Sequence, residues 1–218
     1  MKRNLFIVAG LVLVVGFAVS AWLYQSQRAE EIGFLAQENA EIFVRPYSPT
    51  LGSADAKVYV VMFTDPACET CAAFSPFVKQ ALKRFSGKAQ LVIRYAPFHA
   101  GADQIVRILE AARLQGAFWE TLDFLYERQR EWTHNHRVQM EKVWALLPET
   151  GLDVERIRSD MMKPEIAAVL EQDLADGKAL GVRRTPGFFV NGKGLEQFGA
   201  QQLAALVRSE VRAKYPDQ

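Results

Sequence analysis

The stretch Lys57-Val-Tyr-Val-Val-Met-Phe-Thr-Asp-Pro-Ala-Cys-Glu-Thr-Cys71 decides how this chain is read. It opens on a continuous apolar run rich in β-branched and aromatic residues, the pattern of a strand buried on both faces. It closes on two cysteines separated by Glu69 and Thr70. Just beyond, Phe74, Phe77, Val78 and Leu82 recur at helical spacing, and the pattern stops near Ser86-Gly87. The cysteines therefore stand where a strand gives way to a helix. Gln90-Leu-Val-Ile-Arg-Tyr95 reads as a second buried strand, so strand, helix and strand form a βαβ unit with a right-handed crossover.

Cysteines at that junction point to redox chemistry. Two intervening residues bring the sulfurs within bridging reach when the second lies in the first helical turn. The sulfur of Cys68 then sits beside unpaired helix N–H groups and the positive end of the helix dipole, which favour the attacking thiolate. Cys71, one turn deeper, is more shielded and suited to resolve a mixed disulfide. The chain holds 2 cysteines and 3 histidines, His99, His134 and His136, so a site of four thiolates is excluded. An inert bridge closing so small a loop would constrain the unfolded chain little. The alternative that stays open is half of a zinc or copper site completed by His99 or the His134/His136 pair, as in a tethered metallochaperone.

Composition narrows the classes further. Of 218 residues, 50% are hydrophobic and 23% charged, with a net charge of +1, which leaves no electrostatic footprint for nucleic acid. From Leu5 to Tyr24 no residue carries a formal charge. As a helix that run is roughly 30 Å long, enough to cross a bilayer. Lys2 and Arg3 precede it, so the positive-inside tendency places the N-terminus in the cytoplasm and sends the rest out. The expectation is a signal anchor over residues 1–24; a cleaved signal peptide, with small residues at Ala18, Ser20 and Ala21, is the alternative. In an oxidising compartment a disulfide persists.

Residues 25–50 read as a polar tether, with a short helix around Glu31–Ile42 and an extended entry broken by Pro46 and Pro49. The domain is expected over 51–215. Within it, residues 101–180 look entirely helical, with apolar stripes at Ile105, Ile108, Leu109 and Ala112, at Phe118, Leu122 and Leu125, and at Ile166, Val169, Leu170 and Leu174 behind Pro164. Gly187-Phe-Phe-Val190 reads as a strand, Asn191-Gly192 as a turn, and Leu195–Phe198 as its hairpin partner. Leu203, Leu206 and Val207 mark a closing helix. The class is α/β: βαβ, a helical block, then ββα around a mixed sheet.

A second motif, Arg183-Arg-Thr-Pro-Gly-Phe-Phe-Val-Asn-Gly192, sets a proline directly before a strand, a position compatible with a cis peptide bond. The strand–CxxC–helix arrangement together with Thr-Pro-Gly-Phe-Phe-Val-Asn-Gly resembles the thioredoxin superfamily, where the proline facing the cysteines is cis. The helical block, and Tyr95-Ala-Pro-Phe-His-Ala-Gly running on to Gln115-Gly-Ala-Phe-Trp119, resemble its DsbA-like branch of exported bacterial thiol–disulfide oxidoreductases. The resemblance covers about residues 42–213. It implies that Cys68 is the nucleophile, that Cys71 resolves, and that the two form a redox-active disulfide. It also implies that Thr185 and Pro186 line a groove where an extended polypeptide pairs with exposed backbone. No cofactor or metal is implied. The partners would be exported polypeptides, a membrane redox protein and the bilayer around the N-terminal helix, at the cytoplasmic membrane facing the periplasm.

Two departures from the DsbA pattern carry expectations. Glu69-Thr70 replaces the usual Pro-His, and a carboxylate close to Cys68 opposes the thiolate, giving a less oxidising couple unless Glu69 points into water. Met62 stands where DsbA-like proteins often bury a Glu that assists proton transfer to the resolving thiol. Asp65 is the nearest substitute, although an Asp before Pro66 reads first as an exposed turn or cap residue. His99 reads as a surface or structurally satisfied histidine, and Arg183/Arg184 as a solvated pair.

Overall fold

The computed structural model of the chain describes residues 11–27, 30 and 40–216. Residues 11–27 form helix α1, which exposes Leu13, Phe17 and Trp22. No helix among the described residues is long and apolar enough to cross a membrane. Leu5 to Gly10 of the expected span lie outside the described residues, as do residues 31–39 of the helix expected around Glu31–Ile42.

The sheet is built on β2 (Val58–Thr64) and β3 (Ala89–Tyr95), each buried on both faces along nearly its whole length. They run parallel, with Val58 beside Ala89 and Thr64 beside Tyr95, joined by α2 (Glu69–Arg84). Strand β1 (Thr50–Gly52) pairs antiparallel to β3, and β6 (Gly187–Val190) antiparallel to β2. With β7 (Lys193–Gly194) the order is β1-β3-β2-β6-β7, a mixed sheet. One face carries Val60, Met62, Leu91 and Ile93 against Val78 and Leu82 of α2 and Leu203 and Val207 of α9 (Ala200–Lys214). The other carries Val61, Phe63, Val92 and Phe189 against Ile42 and Phe43. Residues at the end of the expected tether thus pack into the core, where Arg45 forms an ion pair with Asp176 at 2.8 Å.

The expected hairpin partner Leu195–Phe198 is not a strand. Asn191 and Gly192, both at positive φ, form a two-residue turn that pairs Val190 with Lys193 and Phe189 with Gly194. Leu195 donates once more, to Phe188 O at 3.1 Å, before the chain leaves for α9.

The inserted block comprises α3 (Ala102–Leu114), α4 (Phe118–Glu127), α5 (Gln129–Trp132), α6 (Met140–Leu146), α7 (Val154–Asp160) and α8 (Pro164–Ala179). It is not entirely helical. Strands β4 (Thr133–His134) and β5 (Arg137–Val138) form a hairpin whose turn residues, Asn135 and His136, take φ of 48° and 57°. Gly101, at φ 85°, opens α3 beneath this hairpin, where a Cβ would lie 3.0 Å from the Val138 Cβ; glycine is needed both for the conformation and for the close approach.

Helix α8 also departs from its expected stripe. Leu174 is 40% exposed, while Asp173, Asp176 and Gly177 take the buried face in the second half of the helix. The two aspartates are turned inward by Arg94 of β3, whose fully buried guanidinium donates to Asp173 Oδ1 at 2.8 Å and to Asp176 Oδ2 at 2.5 Å.

Candidate active site

The β2–α2 junction folds as a tight turn held by Asp65. Its carbonyl accepts from the Cys68 N–H at 3.0 Å and its Oδ1 from the Ala67 N–H at 2.8 Å. Cys68 leaves this turn as the N-cap of α2, with an extended backbone and no side-chain cap of its own. Its sulfur is thereby set at the helix N-terminus, while Cys71 enters the first turn and is fully buried. Both are free thiols.

Across the site, the Thr185–Pro186 peptide bond is cis, Pro186 is buried and Thr185 is half-buried. A protonated Cys68 donates to the Thr185 carbonyl at 3.4 Å. Once ionised, the sulfur instead accepts. The Cys68 thiol is pulled down to about 5, chiefly by a hydrogen bond from the Cys71 thiol, with further donation from Thr185 and from the backbone N–H groups of Cys71 and Thr70 outweighing burial. Cys71 is pushed far above the ordinary thiol range, by burial first and then by the negative sulfur beside it. The two thiols are thus shifted in opposite directions, the outer one toward its anion and the buried one toward its protonated form. The structure brings Cys68, Cys71, Thr185 and Pro186 together.

For Glu69 the exception stated with the expectation applies, since its side chain faces water. Glu69 and Thr70 are exposed, and the carboxylate is not a leading influence on Cys68, whose thiol moves down rather than up. Of Glu69 and Thr70, it is the backbone N–H of Thr70 that bears on the sulfur. The expectation for Asp65 is corrected, since it is fully buried. Its Oδ2 accepts from the N–H groups of Phe98 and His99, at 2.7 and 2.8 Å, and contacts His99 Nδ1 at 2.6 Å. His99 is a structurally tied ring, 5.5 Å from that of His136. Arg183 and Arg184 are exposed and form no ion pair among the described residues. Among the described residues no three His, Cys, Asp or Glu side chains are grouped to hold a metal ion.

Three contacts around the cysteines were not visible in sequence. Gln129 of α5 donates to the Pro66 carbonyl at 2.8 Å and so ties the turn to the helical block. Thr64, the last residue of β2, meets the Tyr126 hydroxyl at 2.6 Å and is also a hydrogen-bonding neighbour of Cys71. These partners are separated by 63 and 62 residues, and nothing in the local pattern singles them out.

A family model described as Thioredoxin matches residues 45–208 of this chain. The chain belongs to the thioredoxin family. Its fold is shared with a thioredoxin-like oxidoreductase from Silicibacter pomeroyi, at 26% identity and a TM-score of 0.69 over 81% of this chain and 98% of that one. Oxidised BdbD from Bacillus subtilis aligns at 24% identity and a TM-score of 0.67, covering 76% and 93%. The catalytic domain of Proteus mirabilis ScsC aligns at 18% and 0.68, covering 83% and 98%. These likenesses show a thioredoxin-like α/β fold with a mixed sheet and inserted helices.

Among curated proteins, this thioredoxin-family chain is similar to a Na+/H+ antiporter NhaA from Herminiimonas arsenicoxydans, 30% identical over 93% of this chain and 32% of the relative. A second NhaA, from Salinispora tropica, is 26% identical over 93% and 33%. The chain spans about a third of the length of the curated relatives it matches.

Proposed function

We propose that this chain is a thiol–disulfide oxidoreductase acting on exported polypeptides through the Cys68–Cys71 pair. The observation that carries the reading is the placement of the Cys68 sulfur at the start of α2, 3.4 Å from the carbonyl of Thr185 at the cis Thr185–Pro186 bond, with Cys71 buried in the first turn behind it. The description of the Silicibacter pomeroyi relative as an oxidoreductase supports it.

In one direction the Cys68 thiolate attacks a substrate disulfide, forming a mixed disulfide and releasing one substrate thiolate. Cys71 then displaces the second and closes the bridge. In the other direction a substrate thiolate attacks Cys68 of the bridge, Cys71 leaves, and a second substrate thiol completes the transfer. Thr185 and Pro186 border the sulfur that takes part in both, where an extended polypeptide lies. Stabilising the Cys68 thiolate favours the dithiol over the disulfide, so donation of the bridge to substrate is the favoured direction. A membrane redox protein is the partner that restores the disulfide. The uncharged Leu5–Tyr24 run, exposed over its described part, is the anchor that holds the domain at the outer face of the cytoplasmic membrane.

The test is exchange with a disulfide-bearing peptide, combined with the reduction potential. Cys71→Ala should accumulate a mixed disulfide at Cys68, and Cys68→Ala should abolish exchange. Full activity of Cys68→Ala would defeat the assignment. A potential in the range of about −120 to −180 mV accords with a disulfide donor, whereas one below about −230 mV would reverse the direction to reduction.

A further inference from the structure

An open groove between the start of α2 and the α4–α5 segment begins one residue after the reacting sulfur. Glu69 borders it at that end and Ser75 further along α2, with Asp123 and Glu127 of α4 and Gln129 and Arg130 of α5 opposite. Its volume, about 460 Å³, falls in the range of roughly 300–1,000 Å³ that ligand clefts occupy. Thr185 and Pro186 take no part in its lining, so it lies apart from the cis-proline side of Cys68.

Two buried residues in the lining carry polar atoms without a protein partner. Ser75 is 7% exposed, and its hydroxyl makes no hydrogen bond among the described residues. Gln129 is 4% exposed. Its amide nitrogen donates to the Pro66 carbonyl, which turns Oε1 away from that bond, and Oε1 accepts none among the described residues. No side-chain oxygen sealed from solvent lacks a partner among the described residues, so both atoms reach solvent, and the groove is the opening that both residues line. At the rim, the carboxylates of Glu69 and Glu127 are exposed and in no ion pair among the described residues, whereas Asp123 is paired with Lys79. Arg130, also exposed, is the one cation in the lining.

A hydroxyl, an amide oxygen and two carboxylates are a set of acceptors in want of donors. A guanidinium or an ammonium supplies donors only, together with the charge that the carboxylates favour, whereas an anion would face two carboxylates and an oxygen that cannot donate. We propose that this groove selects substrates by taking the side chain of an arginine or lysine close to the reacting cysteine of an exported polypeptide. Ser75 and Gln129 receive its N–H groups at the floor, and Glu69 and Glu127 its charge at the rim. The stretch of α2 from Glu69 to Ser75 is roughly 9 Å long, which an extended chain covers in about three residues. The basic residue therefore lies within about three positions of the substrate cysteine, on one side of it.

The inference rests on the oxidoreductase reading, and the experiment separates the two. Reduction of the Cys68–Cys71 bridge by short peptides with a single cysteine would be followed. The peptides carry arginine, or its uncharged isostere citrulline, at one, two or three positions before or after the cysteine. Each arginine-to-citrulline rate ratio is divided by the same ratio for oxidised glutathione, which cancels the effect of the charge on the peptide's own thiol. Wild type should favour arginine by about fivefold on one side of the cysteine, the upper end for a half-exposed ion pair. Glu127→Gln and Ser75→Ala should each bring that ratio toward one, and Arg130→Gln, which removes a competing cation, should raise it. An equal preference at every position marks attraction to an acidic face and overturns the groove, as does a ratio that Glu127→Gln and Ser75→Ala leave unchanged. Exchange with no regard for arginine overturns the groove and leaves the redox chemistry standing. Absence of any exchange in wild type removes the oxidoreductase reading, and the inference with it.

Discussion

Asp65 grips His99 twice, accepting the backbone N–H at 2.8 Å and contacting ring Nδ1 at 2.6 Å with one carboxylate oxygen. The same oxygen takes the N–H of Phe98, and the other takes that of Ala67. The loop after β3 is thereby fastened to the turn that delivers Cys68. Because the carboxylate is fully buried, its hydrogen bonds cannot be replaced by water at the surface.

Removing this carboxylate strands three backbone donors, whereas removing the ring strands none. Asp65→Ala should therefore lower stability to urea by about 3 kcal/mol, and His99→Ala by about 1 kcal/mol. Equal losses in the two variants would mean that the ring contact, rather than the backbone bonds, is what Asp65 supplies.

The buried Arg94 offers a second contrast. Asp176 also pairs with Arg45 at 2.8 Å, but Asp173 is left with Tyr47 and a backbone N–H when Arg94 is lost. Arg94→Met should cost about 3–5 kcal/mol, since it leaves a buried carboxylate without its cation. Adding Asp173→Asn should recover part of that loss at neutral pH. Burial already raises the Asp173 carboxyl above its ordinary value, so the penalty of Arg94→Met should shrink as pH falls and the group is protonated. A penalty that is the same at pH 4 and pH 8 in chemical denaturation would show that lost packing, not charge, is responsible.

Legibility in the sequence followed the range of the interaction. The strands around Val58–Phe63 and Leu91–Tyr95 and the helix after Cys68 announce themselves, because burial on two faces or one stripe leaves a periodic trace. The hairpin of β4 and β5 leaves none, since two residues per strand set no period. Leu195–Phe198 has the apolar ends of a strand, but the turn register ends the ladder first. Asp65 misled because an Asp before Pro usually caps a turn in water, and only the loop from β3 folding back over it makes the site dry. For Glu69 the sequence left two orientations open, because adjacency along the chain does not fix which way a side chain at the start of a helix points. Thr64 and Tyr126 meet solely through packing of the helical block onto the sheet.

The Cys68 thiolate can be titrated through its ultraviolet absorbance in the reduced protein. Wild type should ionise near pH 5, and Glu69→Gln should not move the midpoint measurably, since Glu69 is exposed and not a leading influence. Cys71→Ala should raise it most, because the Cys71 thiol is the largest stabiliser of the anion, and Thr185→Val should raise it less. A Cys71→Ala midpoint equal to that of wild type would show that the helix N–H groups alone hold the charge.

The same shift makes stability depend on pH in the dithiol form. Cys68 moves from an ordinary 9.0 down to about 5 on folding, so folding favours the ionised sulfur. That contribution is complete above pH 9, where the unfolded thiol is ionised too. It diminishes as pH falls toward 5, and vanishes below the folded value. Cys71 is shifted in the opposite direction and acts only above pH 9, where the unfolded Cys71 ionises and the folded one does not, so it leaves the window from 5 to 8 undisturbed. Cys68→Ser cannot ionise and serves as the reference. The reduced wild type should melt at least about 3 °C further above this variant at pH 8 than at pH 5, a readable shift for a domain of this size. A gap of constant size across that window would place the Cys68 anion in water rather than in the hydrogen bonds of α2, Thr185 and Cys71.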